Sequence, residues 1–443
     1  MAKDLDKGTK LRSLMDVDIV VDKKLGEGGQ GYVYKIDYNG QPKALKIYKP
    51  ASLRNPQAFY KNLHNNVIKG APSDRFLWPL DMLRWDGKTF GYIMDLRPSG
   101  YYELVDFMNV KKPDIHFSSY RAAVSAALEM TSAFRVLHSN GFSYQDLSDG
   151  NFFINPQTGR ILICDNDNVS EYGMHSGILG TPQYMAPEIV RGEKQPDVFT
   201  DRFSLGAIIF IILTMTHPLE GRRHLCEILT PKNERIIYGT EPIFILDPDD
   251  HRNAPVEGIH RFIGQIWKEF PDYVKDMFIR EFSKEIMMSP QQRATEASWQ
   301  EMLMHLQAQI IKCPHCRGDN LTYDKTHPVC SACGSPLPLK GSLELSGVSY
   351  NIPITVGNII YRAQLASSNI DVAGDPVLLI RSHPKDLGEA VLQNVSGNDL
   401  TVEKPEGTQT ILKHTNAVPA KHGTVIEGFG GRAVITDATS DQP

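Results

Sequence analysis

Cysteine is scarce in this chain. Of six cysteines in 443 residues, four form two CxxC pairs, Cys313/Cys316 and Cys330/Cys333, and two, Cys164 and Cys226, stand alone. That usage favours a metal site in a reducing compartment over a disulfide framework, so the expected location is cytoplasmic. Long apolar runs are also lacking. The most apolar, Leu205 to Met215 (LGAIIFIILTM), is too short to cross a bilayer as a helix and reads as a buried one. The opening stretch, Met1 to Lys10, is polar and charged, without the apolar core of a secretory leader, and no membrane partner is expected. There is no long Lys/Arg run, and the formal net charge is only −5, which disfavours a nucleic-acid partner. Repeats and low-complexity tracts are missing too. What is present is a globular composition, 41% hydrophobic and 22% charged, long enough for two or three domains.

Residues 19–95 alternate Gly/Asn turns with β-branched and aromatic runs, and NG at 39–40 and DG at 86–87 are hairpin signals. One helical interruption is expected near Pro56 to Lys69. From about Ser118 the period becomes helical, and AAVSAALEMTSAFRVLHSNG ends in Asn-Gly, a helix stop. Short strands follow to about 190, then helices to about Ile311, with Trp299, Met302, Leu303, Leu306 and Ile310 on one face of the last. Composition shifts at Cys313, and after Lys340 the chain reads as strands to about Ile435. The expected fold class is α+β, divided into a lead (1–18), a two-lobed unit (19–306, lobes 19–95 and 96–306), a cysteine segment (311–336) and a β-rich domain (341–437).

The first chemical motif is LGEGGQGYV, which spans Gly26, Glu27, Gly28, Gly29, Gln30, Gly31 and Val33 between two strand-like runs. Glycines let backbone amides approach phosphates that a Cβ would hold away. A dinucleotide fold would place a helix after them, whereas a strand, YVYKI, follows here. Ala44-Leu45-Lys46 comes next, and a Lys on a strand can hold the α- and β-phosphates of ATP. In GFSYQDLSDGNFFI, Asp146 and Asn151 have the spacing of a loop in which Asp accepts a hydroxyl proton and Asn binds magnesium. Asp165 ends the apolar strand ILICDND, where a carboxylate would ligate the phosphate-bridging metal.

In this order and spacing the chain resembles the eukaryotic-type protein kinase family over residues 19–306. The resemblance implies a bilobal kinase fold, ATP with Mg²⁺ or Mn²⁺, and a protein substrate phosphorylated on Ser/Thr. It implies adenine between the lobes, with Met94 as gatekeeper and Asp95–Leu96 as hinge. GTPQYMAPE (180–188) resembles the end of the activation segment, with Thr181 at the position favoured in Ser/Thr kinases. Asp201 would support the catalytic loop, and Arg293 would pair with Glu188. DLSDGN, CDNDNV and HPLEG resemble a bacterial subfamily associated with a PP2C-type phosphatase and a von Willebrand A protein of the tellurite-resistance type.

Four departures stand out. No Glu lies between Lys46 and Tyr102 to serve as the Lys46 partner, leaving His64, Asn65 or Asn66 as polar substitutes. HRD becomes Tyr144-Gln145-Asp146, so activity independent of activation-loop phosphate is expected, testable at Ser170, Ser176 and Thr181. The Lys two residues after the catalytic Asp is Ser148, and DFG becomes Asp165-Asn166-Asp167, adding charge near the metal. The alternatives are a nucleotide-binding pseudokinase scaffold and a small-molecule kinase. GTPQYMAPE argues against the latter, because that segment forms the peptide platform in the family.

The two CxxC pairs, 13 residues apart, suit four thiolates around structural Zn²⁺ in a zinc ribbon, with Gly318 and Gly334 at the knuckle turns. Two redox pairs are the alternative, but they lack a thioredoxin-like setting. His315 and His327 lie nearby and are not needed. Cys164 is expected to pack in the core. The β-rich domain weakly resembles a forkhead-associated (FHA) sandwich through VLQNVSGNDLTVEKPEG and HGTVIEGFG. Gly357-Asn358 stands where that family opens with Gly-Arg, and Asn394, Ser396 and Asn398 lie in the best-matching loop. The plain alternative is a docking sandwich that binds no phosphothreonine.

Overall fold

The computed structural model describes residues 5–49, 53, 55–85, 87, 90–174, 180–226, 228, 230–322, 328–337, 339, 341–366, 375–385 and 389–437. Ser176, His327 and Asp86 fall outside these, as does the Cys226 side chain.

The small lobe is a six-stranded antiparallel sheet. Its strands are β1 (Lys10–Arg12), β2 (Asp18–Glu27), β3 (Gly31–Tyr38), β4 (Gln41–Tyr48), β5 (Asp81–Met82) and β6 (Gly91–Met94), in the order β1-β2-β3-β4-β6-β5. The Asn39-Gly40 turn has both residues at positive φ, 51° and 80°, the geometry that lets a two-residue turn follow the twist of β3 and β4. The 1–18 lead is not separate from this lobe, since β1 pairs with β2 from Lys10↔Val20 to Arg12↔Asp18. A single helix, α1 (Pro56–Lys69), interrupts the strands; Asn55 caps it and Pro56 opens it.

The large lobe is built around two helices. Tyr120–Ser139 starts on Ser119, whose side chain accepts from the Ala122 N–H, and stops at Asn140-Gly141. Val198–Thr214 starts on a reciprocal Asp197/Thr200 capping box. Every residue from Phe203 to Thr214 is buried, which explains why its sequence shows no polar face. Among the described residues no helix is long and apolar enough to cross a membrane. The last helix, Glu296–Ala308, buries Trp299, Met302, Leu303 and Leu306. Ile310 is not on it. The helix ends at Ala308, and Ile310 begins a strand that pairs with Leu321.

After the cysteine segment the described residues form a sandwich of ten strands. One sheet runs Ile352–Pro353, Ser342–Leu345, Gly431–Thr436, Val425–Gly428, Leu400–Glu403, Gln409–Leu412; the other runs Ile359–Tyr361, Pro376–Ser382, Ala390–Asn394, Ala417–Pro419. Arg362–Leu365, within a stretch expected to be extended, is a helical turn because the Gln364 side chain folds back to accept the Tyr361 N–H. The sandwich is joined to the large lobe. Asn358 is fully buried, donating to the Ala308 and Pro353 carbonyls at 2.8 and 3.0 Å and accepting from Arg121 Nη2 at 2.6 Å. The His305 ring lies parallel between those of Tyr273 and Tyr350, 4.0 Å from each.

Candidate active site

The glycine-rich run forms the β2–β3 hairpin, closed by the Gly28 N–H donating to the Gly31 carbonyl at 2.9 Å. A Cβ on Gly31 would sit 2.1 Å from the Ile47 carbonyl oxygen, so only glycine fits there. At Gly26, Gly28 and Gly29 a Cβ would meet nothing within 4 Å, so their freedom faces open space. Beneath them Val33, Ala44, Met94 and Leu96 pack into one apolar cluster, with Met94 opposite Ala44 in the β4–β6 register. Asp95 is paired with Lys43 at the strand exit.

Lys46 points into the cleft. Its Nζ is 3.2 Å from Gln30 Oε1, 3.3 Å from Asp165 Oδ1 and 2.9 Å from Asp167 Oδ2. Asp165 takes a left-handed backbone, φ 53°, which Asp tolerates better than most residues. Asp167 has no positive φ, so the position usually held by glycine accepts a side chain without backbone strain. Asn151 donates to the Asp146 carbonyl at 2.7 Å, and Asn168 donates to Asp146 Oδ2 at 3.2 Å. Gly180 packs over this carboxylate, since a Cβ there would lie 3.3 Å from Asp146 Oδ1. Burial, then Asp165 and Asp167, push the Asp146 carboxyl up to about 6, with Lys46 opposing them. Two carboxylates thus share Lys46 with a third nearby, and the Asp167 Oδ1 and Asn168 Oδ1 atoms are buried without partners. Such a donor set suits a hard, oxygen-seeking cation.

Asp201 holds the catalytic loop from below, accepting from the Tyr144 and Gln145 N–H groups at 2.6 and 3.0 Å. Gln145, at φ 71°, donates to the Met174 carbonyl at 2.8 Å, so a neutral contact links the loop to the activation segment where an Arg would seek a phosphate. Ser170 is buried and donates to the Asn168 carbonyl, which makes it a poor phosphate acceptor. Arg293 grips Glu188 bidentately at 2.8 and 2.7 Å, both buried.

Sequence reasoning missed two parts of this site. Lys46 Nζ bonds to Gln30, Asp165 and Asp167, and not to His64, Asn65 or Asn66. Asn62 and Asn66 both donate to the Val169 carbonyl, at 2.9 and 2.8 Å, and Lys46 meets Asp167 instead. The second is His138, whose side chain is buried between Glu296 Oε1 at 2.9 Å and Asp201 Oδ2 at 3.1 Å. Burial opposes its charge, but hydrogen bonds to Asp201 and Glu296 outweigh it and push the imidazole up to about 9. An unfolded histidine titrates near ~6.5, so the stabilisation is complete below about pH 6.5 and lost as pH rises through about 9. We expect the melting temperature to fall across this window by the equivalent of about 3 kcal/mol. A His138→Asn protein would lack that transition in thermal melts run from pH 6 to 10.

The four cysteines of the two CxxC pairs form a second site, with ligand atoms all within 4.8 Å of one another. Each knuckle closes on itself: the Cys313 N–H donates to the Gly318 carbonyl and the Cys330 N–H to the Ser335 carbonyl, both at 2.8 Å. The left-handed residue of the first knuckle is Arg317, φ 67°, not Gly318; the second uses Gly334 at φ 69°. The Cys333 N–H, aided by that of Ala332, draws the Cys330 thiol down to about 6 against burial, favouring the thiolate that metals bind. Four thiolates at this separation could hold zinc. Cys164 is buried and its thiol is pushed well up, chiefly by desolvation. In the sandwich, Asn394 is fully buried and donates to the Asn398 and Leu412 carbonyls, while Ser396 donates to Asn394. These side chains hold their own loop together.

Comparison with known proteins gives a consistent picture. The family described as "Protein kinase domain" matches residues 19–305. Serine/threonine-protein kinase Sgk1 of Xenopus tropicalis is 30% identical over 210 residues, 45% of this chain and 48% of that protein. Isozyme 2 (forms cD5/T2) of the cGMP-dependent protein kinase of Drosophila melanogaster is 27% identical over 220 residues, 48% of this chain and 22% of that protein. The probable serine/threonine-protein kinase PknB of Corynebacterium glutamicum is 24% identical over 235 residues, 49% and 35% respectively. The chain spans less than half the length of these relatives.

Proposed function

We propose, from the premise that this chain belongs to the protein kinase family, that it transfers the γ-phosphoryl group of ATP to Ser or Thr of a protein. The observation that carries the reading is the convergence of Lys46, Asp165, Asp146 and Asn151 on one cleft between the lobes. Lys46 Nζ orients the phosphates. Asp146 positions the acceptor hydroxyl and takes its proton as that oxygen bonds to the γ-phosphorus and the bond to the β–γ bridging oxygen breaks, releasing ADP. Protein kinases use ATP and Mg²⁺. Asn151 and Asp165 would hold the ion, or Mn²⁺ in its place, and it supplies positive charge at the phosphate oxygens when bound. Val33, Ala44, Met94 and Leu96 supply an apolar adenine site, with Asp95–Leu96 as hinge. Mass-spectrometric mapping after incubation with ATP, Mg²⁺ and a generic protein acceptor tests the reading. Phosphate on Ser or Thr is expected; phosphate only on Tyr or on a small molecule would sink it.

The competing reading, a nucleotide-binding scaffold, draws on Ser148 in place of the loop lysine. The cysteine cluster is read as a structural zinc ribbon, supported by the spacing of its four thiols. We expect roughly one zinc per chain by elemental analysis, lost with Cys330→Ser, because four thiolates close a tetrahedral site. Metal removal should expose the 311–336 segment to protease, since so short a segment draws much of its folding energy from the ion. The sandwich is read as FHA-like in fold, on its two antiparallel sheets, and as a docking module rather than a phosphothreonine reader, because Asn394 and Ser396 are already engaged. The bacterial circuit with a PP2C-type phosphatase and a von Willebrand A partner rests on DLSDGN, CDNDNV and HPLEG alone.

A further inference from the structure

We propose that Asp167 is the positioning residue that holds Lys46 against the phosphates, taking from the metal-side turn the place that a helix glutamate fills elsewhere in the family. This rests on the kinase reading above. Helix α1 offers no carboxylate toward the cleft: its buried residues are Phe59, Asn62, Leu63 and Asn66, and both asparagine amides are committed to the Val169 carbonyl. Lys46 therefore needs another anion, and two are in reach. They are not equivalent. Asp167 is fully buried and sits 2.9 Å from Nζ; Asp165 sits at 3.3 Å with its side chain 39% exposed. A buried carboxylate without a partner is costly, so Asp167 and Lys46 hold each other, and Asp165 is left at the cleft surface for a ligand.

The strand reinforces this division. Tyr48 stands two residues beyond Lys46, on the same face of β4, and its hydroxyl donates to the same Asp167 oxygen. The Tyr48 ring is in turn wedged against Phe59 of α1 and Phe90, each with centroids 5.1 Å away. The helix thus positions the lysine through an aromatic contact and a tyrosine instead of an ion pair. It is also fastened in place, because the Trp78 indole N–H donates to the Asn66 carbonyl at 2.8 Å. Where the lysine's partner rides on a helix, helix position can switch the enzyme. Here the partner lies two residues from Asp165 in the same turn, Asn166–Asn168, so ordering that turn sets both lysine and metal ligand. The unpartnered Asp167 Oδ1 makes direct metal ligation the rival role, and the test separates the two.

The test uses the full chain as wild type, Asp167→Asn, Lys46→Met, the double variant and Tyr48→Phe. Calorimetry measures ATP and adenosine affinity, and labelling measures transfer and its Mg²⁺ dependence. Asp167→Asn should weaken ATP about tenfold and lower kcat about 100-fold, as expected for a lost charge-assisted contact. It should leave adenosine affinity and the Mg²⁺ half-saturation unchanged, and the double variant should match Lys46→Met alone. Tyr48→Phe should shift the same readouts in the same direction by less, and it decides the matter if Asp167→Asn does not fold. The proposal is overturned by ATP affinity and kcat close to wild type, by a large rise in the Mg²⁺ requirement, or by losses that multiply in the double variant. If the wild type binds ATP but transfers nothing, the kinase reading fails, and the ATP-to-adenosine affinity ratio still decides the role of Asp167.

Discussion

Asp146→Asn is expected to lower phosphoryl transfer by about 10³-fold, within the span for removal of a positioned general base. Asn keeps the shape and can still meet Asn168, but it cannot take the acceptor proton. The fold should persist, because the bonds that shape the loop, from Asn151 to the Asp146 carbonyl and from Tyr144 and Gln145 to Asp201, do not use the Asp146 carboxylate. ATP affinity should stay within a few-fold of wild type or rise, since burial and two neighbouring carboxylates already disfavour this charge. A fall in turnover with retained binding, measured by labelled transfer beside calorimetry, separates a base from a structural residue. Transfer within tenfold of wild type would remove Asp146 from the chemistry.

Arg293→Ala is expected to carry a large stability cost. Its guanidinium is buried and satisfies both Glu188 oxygens along with the Phe199 and Met287 carbonyls. Removing it strands a buried carboxylate, a change that costs about 3–5 kcal/mol. Glu188 belongs to the segment that begins at Gly180 over Asp146, so that segment should loosen with it. Chemical denaturation would read the stability loss. Arg293→Met combined with Glu188→Leu should recover much of it, because replacing both partners by apolar groups leaves no orphaned charge. If Arg293→Ala melts with the wild type, the pair contributes nothing to the large lobe.

Much of this was legible in sequence because the family motifs are local strings whose glycines and carboxylates have fixed jobs. LGEGGQGYV lies between two paired strands, Asn151 bonds to the Asp146 carbonyl, and Arg293 meets Glu188, the pairing that the family resemblance implied. The partner of Lys46 was not legible. It lies 121 residues away, at a position where glycine is expected, and nothing local marks it. The available signal was a pair of facts: an interval without Glu after Lys46, and an extra Asp directly after Asp165-Asn166. His138 was hidden because its two carboxylates come from separate helices. The strands of the sandwich were legible as short β-prone runs, but their division into two sheets was not, because partners such as Ser342–Leu345 and Gly431–Thr436 lie far apart in sequence. Gly357-Asn358 stands where the forkhead-associated family has Gly-Arg, and Asn358 faces the large lobe, bonded to Ala308 and Arg121.

The most direct measurement is made on the unaltered chain. One preparation is titrated with ATP and Mg²⁺ by calorimetry and then incubated with γ-labelled ATP and a generic protein acceptor. ATP binding together with label on Ser or Thr is the predicted result. ATP binding with no label on any protein would contradict the kinase reading and leave a nucleotide-binding scaffold.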